Sequence, residues 1–325
     1  MTSLNRRALL AAIPAAAMAG QANAQAQAWP TARPIRLVVP FPAGTTTDSF
    51  GRAIGNHLGQ VLGQSVVVEN RSGAGGNIAA AAVARDRPDG YTIILGTSGT
   101  HGVNASLYRE PGFDPVRDFT PVVPFVTAPV ALAVRPQLGV RDFTGLIALA
   151  RQRPLSFASA GNGTTGHLSQ ALLDLRGGVQ TTHVPYRSGA QAVTDLLSGQ
   201  VDAMFYHYLP LAQHVQAGSL MVLGVTAPQR TETLPQVPTM LELALAGFVV
   251  EGWWALYLPA GAPRPVVDRI NAATNEWLRS GEALETLRNQ GVTALGGTPE
   301  ELAARTVAEV AKWREVVRDA RIEPG

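Results

Sequence analysis

The 325-residue sequence contains no cysteine and a single lysine, Lys312. The first absence excludes a disulfide framework, thiolate catalysis and cysteine-ligated zinc. It is compatible with an oxidising compartment without demonstrating one. The second leaves Schiff-base chemistry and a Ser-x-x-Lys nucleophile no candidate outside a charged C-terminal helix. Aromatic residues make up only 6% of the chain. Few of them lie among the scattered basic residues, so there is no phosphate-binding stripe with rings to stack bases, and no nucleic-acid partner is expected. Long apolar runs are also missing. The longest, Val122 to Val134, is broken by Pro124, Thr127 and Pro129 and does not read as a membrane-spanning helix.

Catalytic and metal-binding spacings are equally scarce. Ser98 in Gly96-Thr97-Ser98-Gly99 lacks the glycine that would complete a G-x-S-x-G elbow. The histidines His57, His101, His167, His183, His207 and His214 include no i, i+4 pair and no HExxH. No metal and no cofactor are therefore expected. Gly73-Ala74-Gly75-Gly76 lacks the Gly-Lys-Ser/Thr ending of a phosphate-binding loop and reads as a turn.

What is present begins with an export signal. Arg6 and Arg7 precede an apolar segment from Ala8 to Ala19, and Ala22-Asn23-Ala24 forms a small-x-small cleavage site. Twelve apolar residues reach roughly 18 Å as a helix, too short for a hydrocarbon core of about 30 Å. Residues 1–24 therefore read as a removed signal, and Asn5-Arg6-Arg7-Ala8-Leu9-Leu10 also fits a twin-arginine signal. Cleavage leaves 301 residues and removes two arginines, so the formal charge of +2 falls to neutral.

Strands and helices then alternate in two successive blocks. Ile35 to Pro40 reads as a strand, Phe41 to Thr47 as a loop and Asp48 to Leu62 as a helix. Val66 to Val68, a helix over Ile78 to Arg85 and the strand Thr92 to Leu95 continue the first block. The second block runs from a helix near Phe143 to Arg151 through the strand Leu155 to Ala158, the helix Gly166 to Leu175, Thr181 to Val184 and the helix Ala190 to Leu197 to the strand Ala203 to Tyr206. Two terminal helices follow, and Thr298-Pro299-Glu300-Glu301 opens the second as a capping box. The expected fold class is α/β with two lobes and a ligand cleft between them.

Gly161-Asn162-Gly163-Thr164-Thr165-Gly166 matches the dinucleotide fingerprint, yet the acidic residue due about twenty positions later is missing from Thr181 to Arg187. What survives is a small-residue loop that bares backbone N–H groups at a helix start, which attracts an anion. Phe41-Pro42-Ala43-Gly44-Thr45-Thr46-Thr47-Asp48 has the same form in the first block. Each loop alone also reads as a tight turn with a capping hydroxyl, and Asp48 as a first-turn residue complementing the helix dipole. The pairing across blocks favours an anion held between two helix starts.

The chain resembles the Bug-type, or tripartite tricarboxylate transporter, substrate-binding receptors. The carriers are Ile35 to Asp48 (IRLVVPFPAGTTTD), Val66 to Gly76 (VVVENRSGAGG), Pro88 to Thr100 (PDGYTIILGTSGT) and Ser156 to His167 (SFASAGNGTTGH). His183 to Tyr186, Asp195 to Asp202, Gly252 to Pro259 and Gly296 to Glu301 add to them.

The resemblance implies a two-lobed Venus flytrap of the periplasmic-binding-protein fold. Residues 25–126 and 252–325 form lobe 1, residues 127–251 form lobe 2, and the crossings fall near Thr127 and Glu251. It implies a periplasmic, monomeric receptor, not an enzyme, that binds a small organic carboxylate and serves integral-membrane permease subunits. An exported enzyme on the same scaffold, a signalling receptor and the binding protein of an ATP-driven importer stay as alternatives.

The ligand-binding set this implies is Phe41, Ala43, Gly44, Thr45, Thr46, Thr47 and Asp48 in the first loop, with Thr97 and Ser98. From the second block it takes Ser159, Ala160, Gly163, Thr164, Thr165 and His167, with Tyr186, Tyr206 and His207. Backbone N–H groups and ordered water would grip the carboxylate. Thr45 replaces the family's usual second glycine, and a branched residue tolerates positive φ poorly, so a reshaped loop is expected there. Phe205-Tyr206-His207-Tyr208 stands where relatives often carry an Asp-Asn pair. This exchange points to an acid with a ring or a second anionic group in preference to an amino acid.

Overall fold

The computed structural model describes residues 29–319 and 322. The export signal and its cleavage site lie outside the described residues.

The first block gives strand β1 (Ile35–Val39), helix α1 (Thr46–Leu62), β2 (Val66–Asn70), α2 (Asn77–Val83) and β3 (Thr92–Thr97). Helix α1 buries Phe50, Ile54, Leu58 and Leu62, a four-residue repeat that sets one stripe against the sheet. Gly63 ends it in the left-handed conformation. β1 pairs in parallel with β2 and β3. Every residue of β3 is buried because helices cover both faces of its sheet, so its apolar run is continuous and not alternating.

A π-helical turn at Gly99–Val103 and the short α3 (Asn104–Leu107) lead to β4, which runs unbroken from Phe119 to Val134. The sequence does not reveal this strand, because Pro121, Pro124 and Pro129 argue against it. The structure accommodates two of them at irregularities: register shifts fall between Pro121 and Val123 and between Pro124 and Val126.

The second block supplies α4 (Phe143–Gln152), β5 (Ser156–Ser159), α5 (Thr165–Gly177), β6 (Thr182–Pro185), α6 (Gly189–Ser198), β7 (Ala203–His207), α7 (Leu209–Gln216) and β8 (Met221–Val225). The chain returns through β9 (Glu251–Pro259), α8 (Arg264–Leu278), α9 (Gly281–Asn289), β10 (Thr293–Ala294) and α10 (Pro299–Asp319). The capping box that opens α10 is reciprocal. The Glu301 amide donates to Thr298 Oγ1 at 3.1 Å and the Thr298 amide to Glu301 Oε2 at 2.8 Å.

The strand order is β2-β1-β3-β9-β4-β7-β5-β6, with β8 and β10 also on β4. β4 is shared. Its Phe119 to Pro129 portion pairs antiparallel with β9, ending at Pro129 opposite Glu251, and from Val130 it pairs with β7, beginning opposite His207. Two sheets with separate cores thus hang on one continuous strand. The core around Phe157, Phe205 and Phe248 also takes in Val103 and Leu107 from the turn after β3, and Trp313 from α10. These residues draw the two halves together.

Candidate functional site

The first junction, the loop at 41–48 that carries β1 into α1, is locked by a carboxylate. Asp48 is buried, and its oxygens accept from the Gly44 amide at 2.9 Å, Arg52 Nε at 3.0 Å and Asn70 Nδ2 at 2.9 Å. Asn70 also donates to the Phe41 carbonyl at 3.0 Å. Burial pushes the Asp48 carboxyl upward, but the hydrogen bonds from Arg52, Gly44 and Asn70 outweigh it and hold the group below the usual aspartate range.

Thr45 takes no positive φ, in keeping with its branched side chain. Gly44 carries the positive φ of +80°, and Thr45 sits at φ −80° as the N-cap of α1, its hydroxyl accepting from the Asp48 amide at 3.3 Å. The Thr47 hydroxyl is buried and accepts from Trp254 Nε1 at 2.9 Å. Ala43 and Gly44 are exposed and Thr46 is half-buried, so this part of the loop stands toward solvent.

The second junction, at 159–167 between β5 and α5, is locked by imidazoles. The Gly163 amide donates to His167 Nδ1 at 3.2 Å, which requires His167 to be neutral with its proton on Nε2. His167 stacks on His183 at 3.9 Å between ring centroids, and His183 Nε2 meets Ser159 Oγ at 2.7 Å. Burial depresses His167 to about 4 and His183 to about 3, with the neighbouring His167 adding to the second shift. Thr164 occupies the N-cap of α5 but does not cap it, since its hydroxyl turns back to the Gly161 carbonyl at 2.8 Å. The amides of the first turn of α5, at Thr165, Gly166 and His167, are left without a side-chain cap. Ala160 and Thr165 are half-buried beside them.

The glycines that mimic a dinucleotide fingerprint have other duties. Gly161 and Gly163 adopt φ of +121° and +76°, and a Cβ on Gly166 would lie 2.5 Å from the Phe205 carbonyl oxygen of β7.

The structure sets the second junction against the turn that follows β3. A Cβ on Gly163 would lie 2.7 Å from Leu107 Cδ2 and 3.2 Å from Asn104 Oδ1, and one on Gly99 would lie 3.9 Å from the Gly163 carbonyl oxygen. Asn104 is itself pinned, donating to Asn77 Oδ1 at 2.6 Å and the Gly75 carbonyl at 3.1 Å. Nothing in the sequence singles out Asn104 or Leu107. Thr97 exchanges hydrogen bonds with Thr100, and the Ser98 amide donates to the Trp253 carbonyl at 2.9 Å. Both residues therefore spend backbone or side-chain groups internally.

A row of rings joins the halves. Trp254, tied to Thr47, lies 5.5 Å from His207, and His207 lies 5.8 Å from Tyr206. His207 is depressed to about 4 by burial, partly countered by a hydrogen bond to the Pro129 backbone, and its Nδ1 is buried without a partner among the described residues. Tyr206 fills the space over Gly189, where a Cβ would collide with its hydroxyl. Tyr186 points elsewhere. Its hydroxyl donates to Asp195 Oδ2 at 2.8 Å, and burial together with that carboxylate pushes it up to about 12. Trp254 is the residue missed by site reasoning from sequence, although the Trp253-Trp254 pair is conspicuous there. Among the described residues no group of three His, Cys, Asp or Glu side chains could hold a metal ion, and no helix is long and apolar enough to cross a membrane.

Residues 50–322 match the tripartite tricarboxylate transporter family receptor. The chain is 35% identical over 291 residues to Protein BugT of Bordetella pertussis, covering 89% of each chain. An R. palustris protein solved with adipate superposes with a TM-score of 0.85 at 38% identity, covering 91% of this chain and 100% of that one. MatC from Rhodopseudomonas palustris with bound malate gives a TM-score of 0.79 at 33% identity, over 88% and 99% of the two chains.

Proposed function

The chain belongs to the tripartite tricarboxylate transporter receptor family, solute-binding receptors and not enzymes, and from that premise we propose that it captures a small organic carboxylate outside the cytoplasm and presents it to a membrane permease. The lobes are residues 25–126 with 252–325, and residues 127–251. The site lies between the first junction, at 41–48, and the second, at 159–167.

One observation carries the reading. The first turn of α5 offers uncapped amides on a loop set against the other half of the molecule, beside Asn104 and Leu107. An anion there satisfies donors that the protein leaves open and gains the positive end of the helix dipole. The adipate and malate of two similar structures support a carboxylate. Because the ligand touches both halves only when they are together, its binding favours closure.

The distal end of the ligand meets Tyr206, His207 and Trp254. These rings favour an acid with a ring or a second anionic group over an amino acid, and the neutral state in which burial holds His207 favours the ring.

Calorimetry of the mature protein against benzoate, adipate, malate and glutamate tests the proposal. A saturable, one-to-one heat with one acid and no turnover supports it. Absence of binding to every carboxylate refutes the site, and unchanged acid affinity in a Tyr206→Ala, His207→Ala double variant refutes the assignment of the distal end.

A further inference from the structure

The chain segment that returns from the second sheet alternates its side chains between two environments, as an extended strand must. Gly252 and Trp254 face the row of rings just described, where a Cβ on Gly252 would lie 2.7 Å from His207 Cε1 and Trp254 bonds Thr47. Val249, Glu251 and Trp253 face the other way, into an open cavity of about 250 Å³ lined on its other side by Arg305, Ala308, Glu309 and Lys312 of α10. The four helix residues recur at i, i+3, i+4 and i+7 and so form one face. The cavity therefore lies behind the crossing, on the opposite side of the strand from the carboxylate site.

Its four charged groups are not equivalent. Glu309 is fully engaged, accepting from Trp253 Nε1 at 3.2 Å and Trp313 Nε1 at 2.9 Å and pairing with Lys312 at 3.4 Å. Lys312 also donates to the Val249 carbonyl at 3.1 Å, tying α10 to the crossing segment. Arg305 and Glu251 are left over: both are half-buried, and among the described residues neither side chain forms a hydrogen bond or an ion pair. Burial holds the Glu251 carboxyl above its ordinary range despite the nearby Arg305 and Lys312.

We propose that this cavity is a second ligand site for a small zwitterion, with Arg305 receiving its carboxylate and Glu251 its ammonium group. Charge balance selects the class. A simple carboxylate that paired with Arg305 would set its charge beside Glu251, and a simple amine that paired with Glu251 would meet Arg305. A molecule bearing both charges satisfies each half-buried group without leaving the other unpaired. The volume admits an amino acid of modest size. The site stands independently of the carboxylate reading, because it uses the other face of the strand.

The test is calorimetry of the full chain with glycine and 4-aminobutyrate, compared with acetate, butyrate and butylamine. The expected result is saturable one-to-one binding of at least one zwitterion, with single-charge analogues at least tenfold weaker. Arg305→Gln and Glu251→Gln each weaken that binding at least tenfold. Ala308→Phe, on the exposed helix surface where folding is not at stake, fills the cavity and abolishes it. Tyr206→Ala, on the opposite face, leaves it within twofold. No heat with either zwitterion at millimolar concentration overturns the proposal, as does equal affinity for the single-charge analogues. Binding that survives Ala308→Phe but is lost in Tyr206→Ala belongs to the carboxylate cleft and overturns it too.

Discussion

The junctions at 41–48 and 159–167 follow one plan in sequence, a strand, a small-residue loop with hydroxyls and a helix, but they are held by opposite chemistry. In the first, a buried carboxylate gathers the Gly44 amide, Arg52 and Asn70, and Thr45 caps α1. Negative charge is already supplied there by the protein. In the second, two stacked neutral histidines support the loop from beneath, and α5 starts without a side-chain cap. That junction leaves its first-turn amides without a side-chain acceptor. Under the proposed function, this difference would put the carboxylate grip mainly at the second junction and the shaping of the cleft wall at the first.

The largest expected effect breaks the symmetry at the two positive-φ glycines. Gly163→Val combines left-handed strain with a Cβ 2.7 Å from Leu107 Cδ2, whereas Gly44 has nothing within 4 Å of a Cβ. Calorimetry should show acid affinity falling about 100-fold for Gly163→Val, or about 2.7 kcal/mol. Gly44→Ala should cost only about 1 kcal/mol of stability through its backbone. Equal affinity losses at the two positions would break the comparison.

Asp48→Ala comes next. It leaves the Gly44 amide and Asn70 without their acceptor, and urea unfolding at pH 7 should register a loss of about 2 kcal/mol. Because the folded carboxyl lies below its ordinary value of 3.8, its stabilising contribution is present above that pH and fades as pH falls below it.

The histidine junction responds to acid sooner. His167 falls from 6.5 to about 4, so the unfolded chain takes up a proton across that window while the folded protein does not, and stability drops as pH falls from about 6.5 to about 4. His101, His183 and His207 are depressed in the same sense. Replacing His167 with Gln should make the loss between pH 7 and pH 5 smaller by on the order of 1–2 kcal/mol. An unaltered pH profile would remove the imidazole from this role.

The smallest effect is the sharpest comparison. The same change at the two N-caps, Thr45→Ala and Thr164→Ala, should cost about 1 kcal/mol at the first and a few tenths at the second, since only Thr45 caps its helix. Thermal melting of the two variants side by side decides it.

Much of this architecture is legible locally. The alternation of strands and helices places most elements to within a residue or two, and the capping box at Thr298 forms as its spacing requires. The glycines of the second junction also announce themselves, though as a dinucleotide fingerprint, because positive φ and close helix packing demand glycine whatever the ligand. Two features were not legible in the sequence, for physical reasons. The prolines of β4 hide a strand of sixteen residues that the structure keeps continuous with register shifts. The branched Thr45 takes no positive φ, because Gly44 beside it does.

By itself the sequence determined the fold class, the two strand-loop-helix junctions and the family resemblance, all of which rest on periodicity, turn chemistry and residue order within a few positions. Only the tertiary structure decided which junction is filled by its own carboxylate, that Leu107 and Asn104 back Gly163, and that Trp254 reaches Thr47 across 207 residues of chain. Local patterns report what each residue demands of its own backbone. Which distant side chain meets that demand depends on two sheets being hung on one shared strand, and no short-range pattern carries that information.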